Sequence, residues 1–146
     1  MMRPLSLSPK VSGAFCNDCS RHAHLGVVGA WQPTLNQSTE SWLRQYESQG
    51  LRVSAISCWE VAKLVEYNRL TLPRPVGDWL RQALAYPGTR LLELTPEIAV
   101  ESTQLPGAFH HDPADQIIVA TARIYNCALL TSDTKILSYP HANVLK

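Results

Sequence analysis

The sequence predicts an α/β domain with a mainly parallel sheet, because short apolar strands alternate with amphipathic helices after about residue 36. The predicted strands are short apolar segments at 51–56, 90–94, 128–131 and 143–145. The predicted helices have apolar residues at three- and four-residue steps and start near residues 39, 57, 76, 96 and 113. Parallel sheets bind ligands at the carboxyl ends of their strands, so the residues just after strands are the candidates for function.

The composition is that of an ordinary globular protein. Of the 146 residues, 45% are apolar and 17% are charged, and the formal net charge is +1. Proteins that coat nucleic acid nonspecifically are usually far more basic. No apolar run reaches the roughly 18 residues of a membrane span, and the start has no secretory pattern, so we expect a cytoplasmic protein with no membrane partner.

The chain divides near Asn36 into two regions of different character. Residues 1–35 are irregular, with scattered Ser, Pro, Cys and His and no clear period, whereas residues 36–146 follow the α/β pattern. We therefore expect a domain at 36–146, preceded by a segment that is not native to it. The irregular segment also allows a small zinc module, for which the candidate ligands are Cys16, Cys19, His22 and His24. Four ligands within nine residues leave little room for a core, which disfavours this alternative.

Three acidic residues stand where function is expected in such a sheet. Glu60 follows the first strand, Asp115 lies in the first turn of the helix after Pro113, and Asp133 follows the strand at 128–131. Carboxylates gathered at one edge repel one another unless a cation offsets the repulsion. Oxygen ligands favour a hard ion such as Mg²⁺ or Mn²⁺.

Each acid also has a purely structural interpretation. Ser57 and Glu60 have the spacing of a capping box, and Asp112 before Pro113 is a typical helix cap. Asp133 beside Ser132 fits an ordinary turn. Local spacing leaves both interpretations open for each residue.

Three ordered segments resemble motifs of PIN-domain proteins, in particular the toxins of the VapC family. They are Val53–Ala62, which contains Ser57-Cys58-Trp59-Glu60, His111–Ala122, which contains Asp112-Pro113-Ala114-Asp115, and Leu129-Leu130-Thr131-Ser132-Asp133. The resemblance runs from about residue 36 to the end. It implies a three-layer α/β/α fold, a metal-dependent endoribonuclease, a protein antitoxin partner and a homodimer.

The resemblance also assigns roles to residues. Asp115 takes the position of a metal ligand, Asp133 that of a second ligand or a water-mediated contact, and Glu60 that of a ligand or a group positioning water. Asp112 is expected to be the helix cap, and Thr131 to hydrogen-bond to the cluster.

The chain departs from the family pattern at its start. PIN domains open with an apolar strand that ends in Asp, and residues 1–36 contain no such strand, since 24–31 has no acid. We therefore expect weak metal binding and slow RNA cleavage, or a catalytically dead domain that binds an antitoxin. His110 and His111 are expected to be loop residues rather than catalytic groups, and Trp59 and Trp79 to be core residues.

Overall fold

The computed structural model describes residues 51–86, 88–131 and 133–145. In chain order the elements are strand β1 (Leu51–Ser54), helices α1 (Ala55–Glu66) and α2 (Val76–Leu84), strand β2 (Thr89–Leu92), and helices α3 (Pro96–Thr103), α4 (Pro113–Ile124) and α5 (Thr134–Leu137). The predicted alternation of strands and helices is confirmed. The helix predicted at 39–48, the irregular segment and the candidate zinc ligands lie outside the described residues.

The two named strands are parallel, as predicted. β1 and β2 pair in register from Leu51 with Thr89 to Ser54 with Leu92, and α1 and α2 form the crossover between them. The predicted strands at 128–131 and 143–145 are reduced to one parallel bridge between Leu129 and Val144. In this bridge Leu129 donates its backbone N–H to Asn143 at 2.7 Å. The segment around Leu129 is nevertheless buried, as its apolar sequence predicts.

Helix α4 is the centre of the described core. It packs against both α1 and α3, and the side chains of Ile118 and Val119 are fully buried. Burying a side chain of this size contributes about 1.5–3 kcal/mol, so truncation of Ile118 to Ala would strongly destabilise the domain. Because α4 is held firmly, the acidic residue in its first turn has a fixed position relative to α1.

Helix α1 begins earlier than the sequence predicts. Ser54 has extended backbone angles and is the N-cap, so the helix starts at Ala55 rather than at Ser57. Ser57 is 1% exposed and lies inside the first turn. The structural interpretation of Ser57 and Glu60 as a capping box is therefore excluded, because neither residue occupies the position that this motif requires.

The two predicted core tryptophans differ. Trp79 is buried in a cluster with Val61 and Leu70, as predicted. Trp59 is 52% exposed, so the prediction for it is wrong. The apolar face of α1 is formed by positions 57, 61 and 64, and position 59 points about half a turn away from it. Within the described part of the chain, no helix has the length and apolar character needed to cross a membrane.

Candidate metal centre

Glu60 lies in the second turn of α1, on the helix that packs against α4. Its Oε2 atom is buried and has no hydrogen-bond partner among the described residues. A buried carboxylate oxygen without a donor is costly, and natural proteins keep few of them. Since the capping role is excluded, the placement of Glu60 has no explanation in local helix structure.

Asp115 is the most buried of the three predicted acids, with 7% of its surface exposed. It occupies the first turn of α4, where the helix dipole favours a negative charge. The cap of this helix is a different residue: Asp112 Oδ1 accepts hydrogen bonds from the backbone N–H groups of Ala114 at 3.0 Å and Asp115 at 3.3 Å. The predicted capping role of Asp112 is thus confirmed, which leaves the Asp115 carboxylate free of it.

Asp133 has a structural role that can be read directly. It is the N-cap of α5, and its Oδ1 atom accepts from the backbone N–H groups of Lys135 at 2.9 Å and Ile136 at 3.1 Å. Thr131 Oγ1 in turn accepts from the backbone N–H of Asp133 at 3.0 Å, so the expected contact of Thr131 with the cluster is made through the main chain. Capping occupies Oδ1, and a carboxylate has a second oxygen for another ligand.

His110 joins these acids, although the sequence predicted only a loop residue there. Its Nε2 atom lies 3.2 Å from Asp115 Oδ2. His110, Asp115 and Asp133 each offer one potential ligand atom, and these three atoms lie within 4.8 Å of one another. His111, next in sequence, is exposed. No periodicity distinguishes the two histidines; only the packing of the loop does.

The charges of neighbouring acids act on two of the three predicted acidic side chains. Burial, followed by the charges of Asp115, Asp112 and Asp133, raises the pKa of Glu60 to about 8. Burial, followed by the charges of Asp112 and Asp133, raises the pKa of Asp115 to about 7, against an opposing effect of Lys135. Asp115 and Asp133 therefore lie close together, and Glu60 lies near enough for its pKa to be raised by their charges.

A divalent cation fits this group of side chains. The side chains are rich in carboxylate oxygen, and one buried oxygen, Glu60 Oε2, has no hydrogen-bond partner in the described residues. A cation would offset the repulsion that raises both pKa values and would provide a partner for the buried carboxylate.

The comparisons with known proteins agree with this geometry. Residues 32–142 match the model of the PIN domain. Ribonuclease VapC22 of Mycobacterium tuberculosis (strain ATCC 25618 / H37Rv) is 40% identical over 91 residues, which cover 62% of this chain and 68% of that protein. A chain of a toxin–antitoxin complex from Klebsiella pneumoniae superposes with a TM-score of 0.54 and 21% identity, covering 77% of this chain and 85% of that chain.

Fold and sequence together define a PIN-type α/β domain with an acidic edge. The chain belongs to the PIN domain family and is a VapC-like member of it.

Proposed function

We propose that this protein is a metal-dependent endoribonuclease and the toxin of a toxin–antitoxin pair. The observation that carries the proposal is the proximity of Asp133 to Asp115, together with the charges of both residues that act on the largely buried carboxyl of Glu60. The similarity to a ribonuclease and to a chain of a toxin–antitoxin complex supports RNA as the substrate and an antitoxin as the partner. We also propose a homodimer, which size-exclusion chromatography with light scattering would test.

In this proposal Asp115 and Asp133 hold Mg²⁺ or Mn²⁺, and Glu60 holds the cation or orients water beside it. The cation, when bound, supplies activation of water and neutralisation of charge on the phosphodiester. The protein's own contribution is placement: α4 fixes Asp115, the cap of α5 fixes Asp133, and the Oε2 atom of Glu60 is shielded from bulk water. A bound cation would lower the raised pKa of Glu60 and favour its ionised form, which can hold the cation or accept a hydrogen bond from water beside it.

We further propose that activity is impaired. The amino-acid sequence of residues 1–36 has no apolar segment ending in Asp, and we infer that the site has one carboxylate fewer than PIN domains ordinarily use. Fewer anionic ligands bind the cation more weakly.

We also propose that the domain spans residues 36–146 and that residues 1–35 lie outside it. Limited proteolysis tests these bounds, and cleavage throughout the domain that leaves residues 1–35 intact would refute them.

Mutation of Asp115 to Asn tests the proposed chemistry. Removing a ligand should cost at least about 100-fold in metal-dependent RNA cleavage, since even outer groups of metal sites cost about 10- to 100-fold. The measurements are cleavage of total RNA with Mn²⁺, Mg²⁺ or EDTA and growth inhibition after expression in cells. The matched control is Glu97→Gln, an exposed acid in the first turn of α3 that lies outside the group.

The same experiment decides between the two functions that the sequence leaves open. Slow wild-type cleavage that requires a divalent ion and is lost in Asp115→Asn supports the nuclease. The alternative is a catalytically dead domain that binds an antitoxin, which the missing first acid favours. If the wild type shows no metal-dependent cleavage, and Asp115→Asn inhibits growth to the same extent as the wild type, the result supports that alternative.

A further inference from the structure

His110 is held in place from several sides. Its ring lies 4.3 Å from that of Phe109, centroid to centroid, and Phe109 packs against the core cluster around Ile118. Its backbone carbonyl accepts a hydrogen bond from Gln116 Nε2 at 3.1 Å. Its Nδ1 atom accepts from the backbone N–H of Asp112 at 3.4 Å. The loop before α4 thus fixes the direction of the imidazole.

The contact at Nδ1 determines which nitrogen carries the proton. A neutral imidazole has one donor and one acceptor nitrogen, and an Nδ1 that accepts a hydrogen bond leaves the proton on Nε2. Nε2 is buried, and its contact with Asp115 Oδ2 at 3.2 Å does not have the angles of a hydrogen bond. A small rotation of either side chain would form a charge-assisted hydrogen bond between them.

We propose that His110 is a positioning residue that donates its Nε2–H to Oδ2 of Asp115 and holds this carboxylate among its acidic neighbours. The donor offsets part of the repulsion from Asp133 and leaves the other oxygen of Asp115 for a ligand. Groups that orient the ligands of a metal commonly act in this way. The consequence for cation binding rests on the proposed function, whereas the contact between His110 and Asp115 does not.

Direct ligation by His110 is the competing arrangement, because one of its ring nitrogens lies within 4.8 Å of Asp115 and Asp133, and Nε2 contacts Asp115. An imidazole that binds a metal through Nε2 carries its proton on Nδ1. That proton would face the backbone N–H of Asp112, which now donates to Nδ1. Two donors would then oppose each other, so the loop geometry favours positioning over ligation.

Two substitutions separate positioning from simple space filling. In His110→Gln the side-chain amide reaches the place of Nε2 and can still donate to Asp115. In His110→Asn the amide reaches only the place of Nδ1. We expect Mn²⁺ affinity by isothermal titration to fall about 10- to 100-fold in His110→Asn and to stay near the wild-type value in His110→Gln. Exposed His111→Gln is the matched control and should bind Mn²⁺ like the wild type.

Equal losses in His110→Gln and His110→Asn, or no loss in either, would overturn the proposal. Circular dichroism of each variant confirms that it is folded before the titration is interpreted. A nitrogen coupling from His110 in the electron paramagnetic resonance of bound Mn²⁺ would also overturn it, since it would identify a ligand.

A measurement without metal separates this proposal from the proposed function. Long-range ¹H–¹⁵N correlation spectra of the metal-free protein should show His110 protonated at Nε2, with a resonance that shifts in Asp115→Asn. A proton on Nδ1, or a resonance indifferent to Asp115, contradicts the contact. If the spectra show the contact but the wild type binds no Mn²⁺, the proposed function fails and the contact stands.

Discussion

The two ends of helix α4 use charge in opposite ways. At its last turn Arg123 donates from Nε to Glu101 at 2.6 Å and from Nη1 to the carbonyl of His141 at 2.7 Å. At its first turn, burial and the charges of Asp112 and Asp133 raise the pKa of Asp115 to about 7. At the end of the helix that contains Arg123, opposite charges are paired, which stabilises the fold. The Asp115 end gathers like charges at a cost to stability, which is typical of sites built to bind something else.

The largest expected effect is a dependence of stability on pH at the Asp115 end. The pKa values of Glu60 and Asp115 are raised in the folded state, so folding binds protons between their ordinary values near 4 and about 8. Stability is therefore greatest at low pH within this window and decreases as pH rises through it. We expect a loss on the order of 3 kcal/mol in the free energy of unfolding of the metal-free protein between pH 5 and pH 8, because each unit of pKa shift corresponds to about 1.4 kcal/mol.

Urea unfolding at several pH values in EDTA measures this slope. The variant Glu60→Gln should flatten it, because the neutral amide does not titrate. Saturating Mn²⁺ should stabilise the protein most at pH 8, where the carboxylates are ionised. A wild-type protein whose stability rises across this pH range would contradict the mutual repulsion of these acids.

A smaller effect is expected at the Arg123 end. Arg123→Ala leaves the partly buried carboxylate of Glu101 without its donor, and hydrogen bonds to charged groups contribute about 1.5–3 kcal/mol. We expect a loss of about 2 kcal/mol in the free energy of unfolding, with Mn²⁺ affinity unchanged. Arg81→Ala removes the exposed pair with Asp78 and serves as the control, for which we expect little change. A loss of Mn²⁺ affinity in folded Arg123→Ala would show that the two ends are not independent.

The smallest effect separates the two roles of Asp133. Asn preserves a side-chain oxygen that can cap α5 but removes the charge, whereas Ala removes both. Asp133→Ala should cost about 1 kcal/mol of stability through loss of the cap, and Asp133→Asn close to none. Both should weaken Mn²⁺ binding if the carboxylate serves the cation. Normal Mn²⁺ affinity in Asp133→Asn would reduce Asp133 to a helix cap.

Most of the fold could be predicted from local pattern. The period of α4, the cap at Asp112 and the capped start of α3, where Thr95 Oγ1 accepts from the backbone N–H of Ile98 at 3.3 Å, all follow from short-range preferences. The start of α1 could not be predicted in the same way. Ser54 caps that helix without a side-chain hydrogen bond, so the capping pattern that usually marks a helix start is missing there. Ser57, three residues later, has the sequence spacing of such a cap and therefore suggested a later start.

In the candidate site, too, local sequence pattern predicts some residues and not others. Glu60, Asp115 and Asp133 could be selected because each follows a strand or begins a helix, and motif resemblance strengthened the choice. His110 could not be selected over His111, since both precede the same cap in a polar loop. Trp59 is exposed because it lies about half a turn from the apolar face of α1, which its spacing from Val61 and Leu64 already indicates; only its apolar character favoured the core.

The sequence by itself determined the order of the elements, the parallel sense of the pairing between β1 and β2, and which acids follow a strand or begin a helix. These depend on periodicity and capping, which act over a few residues. Only the tertiary structure decided that Glu60 does not cap its helix, that buried atoms of Glu60 and His110 face an acidic group, and that the pKa values of Glu60 and Asp115 are raised. Burial and charge repulsion depend on distances between residues far apart in the chain, and these distances exist only once the helices have packed.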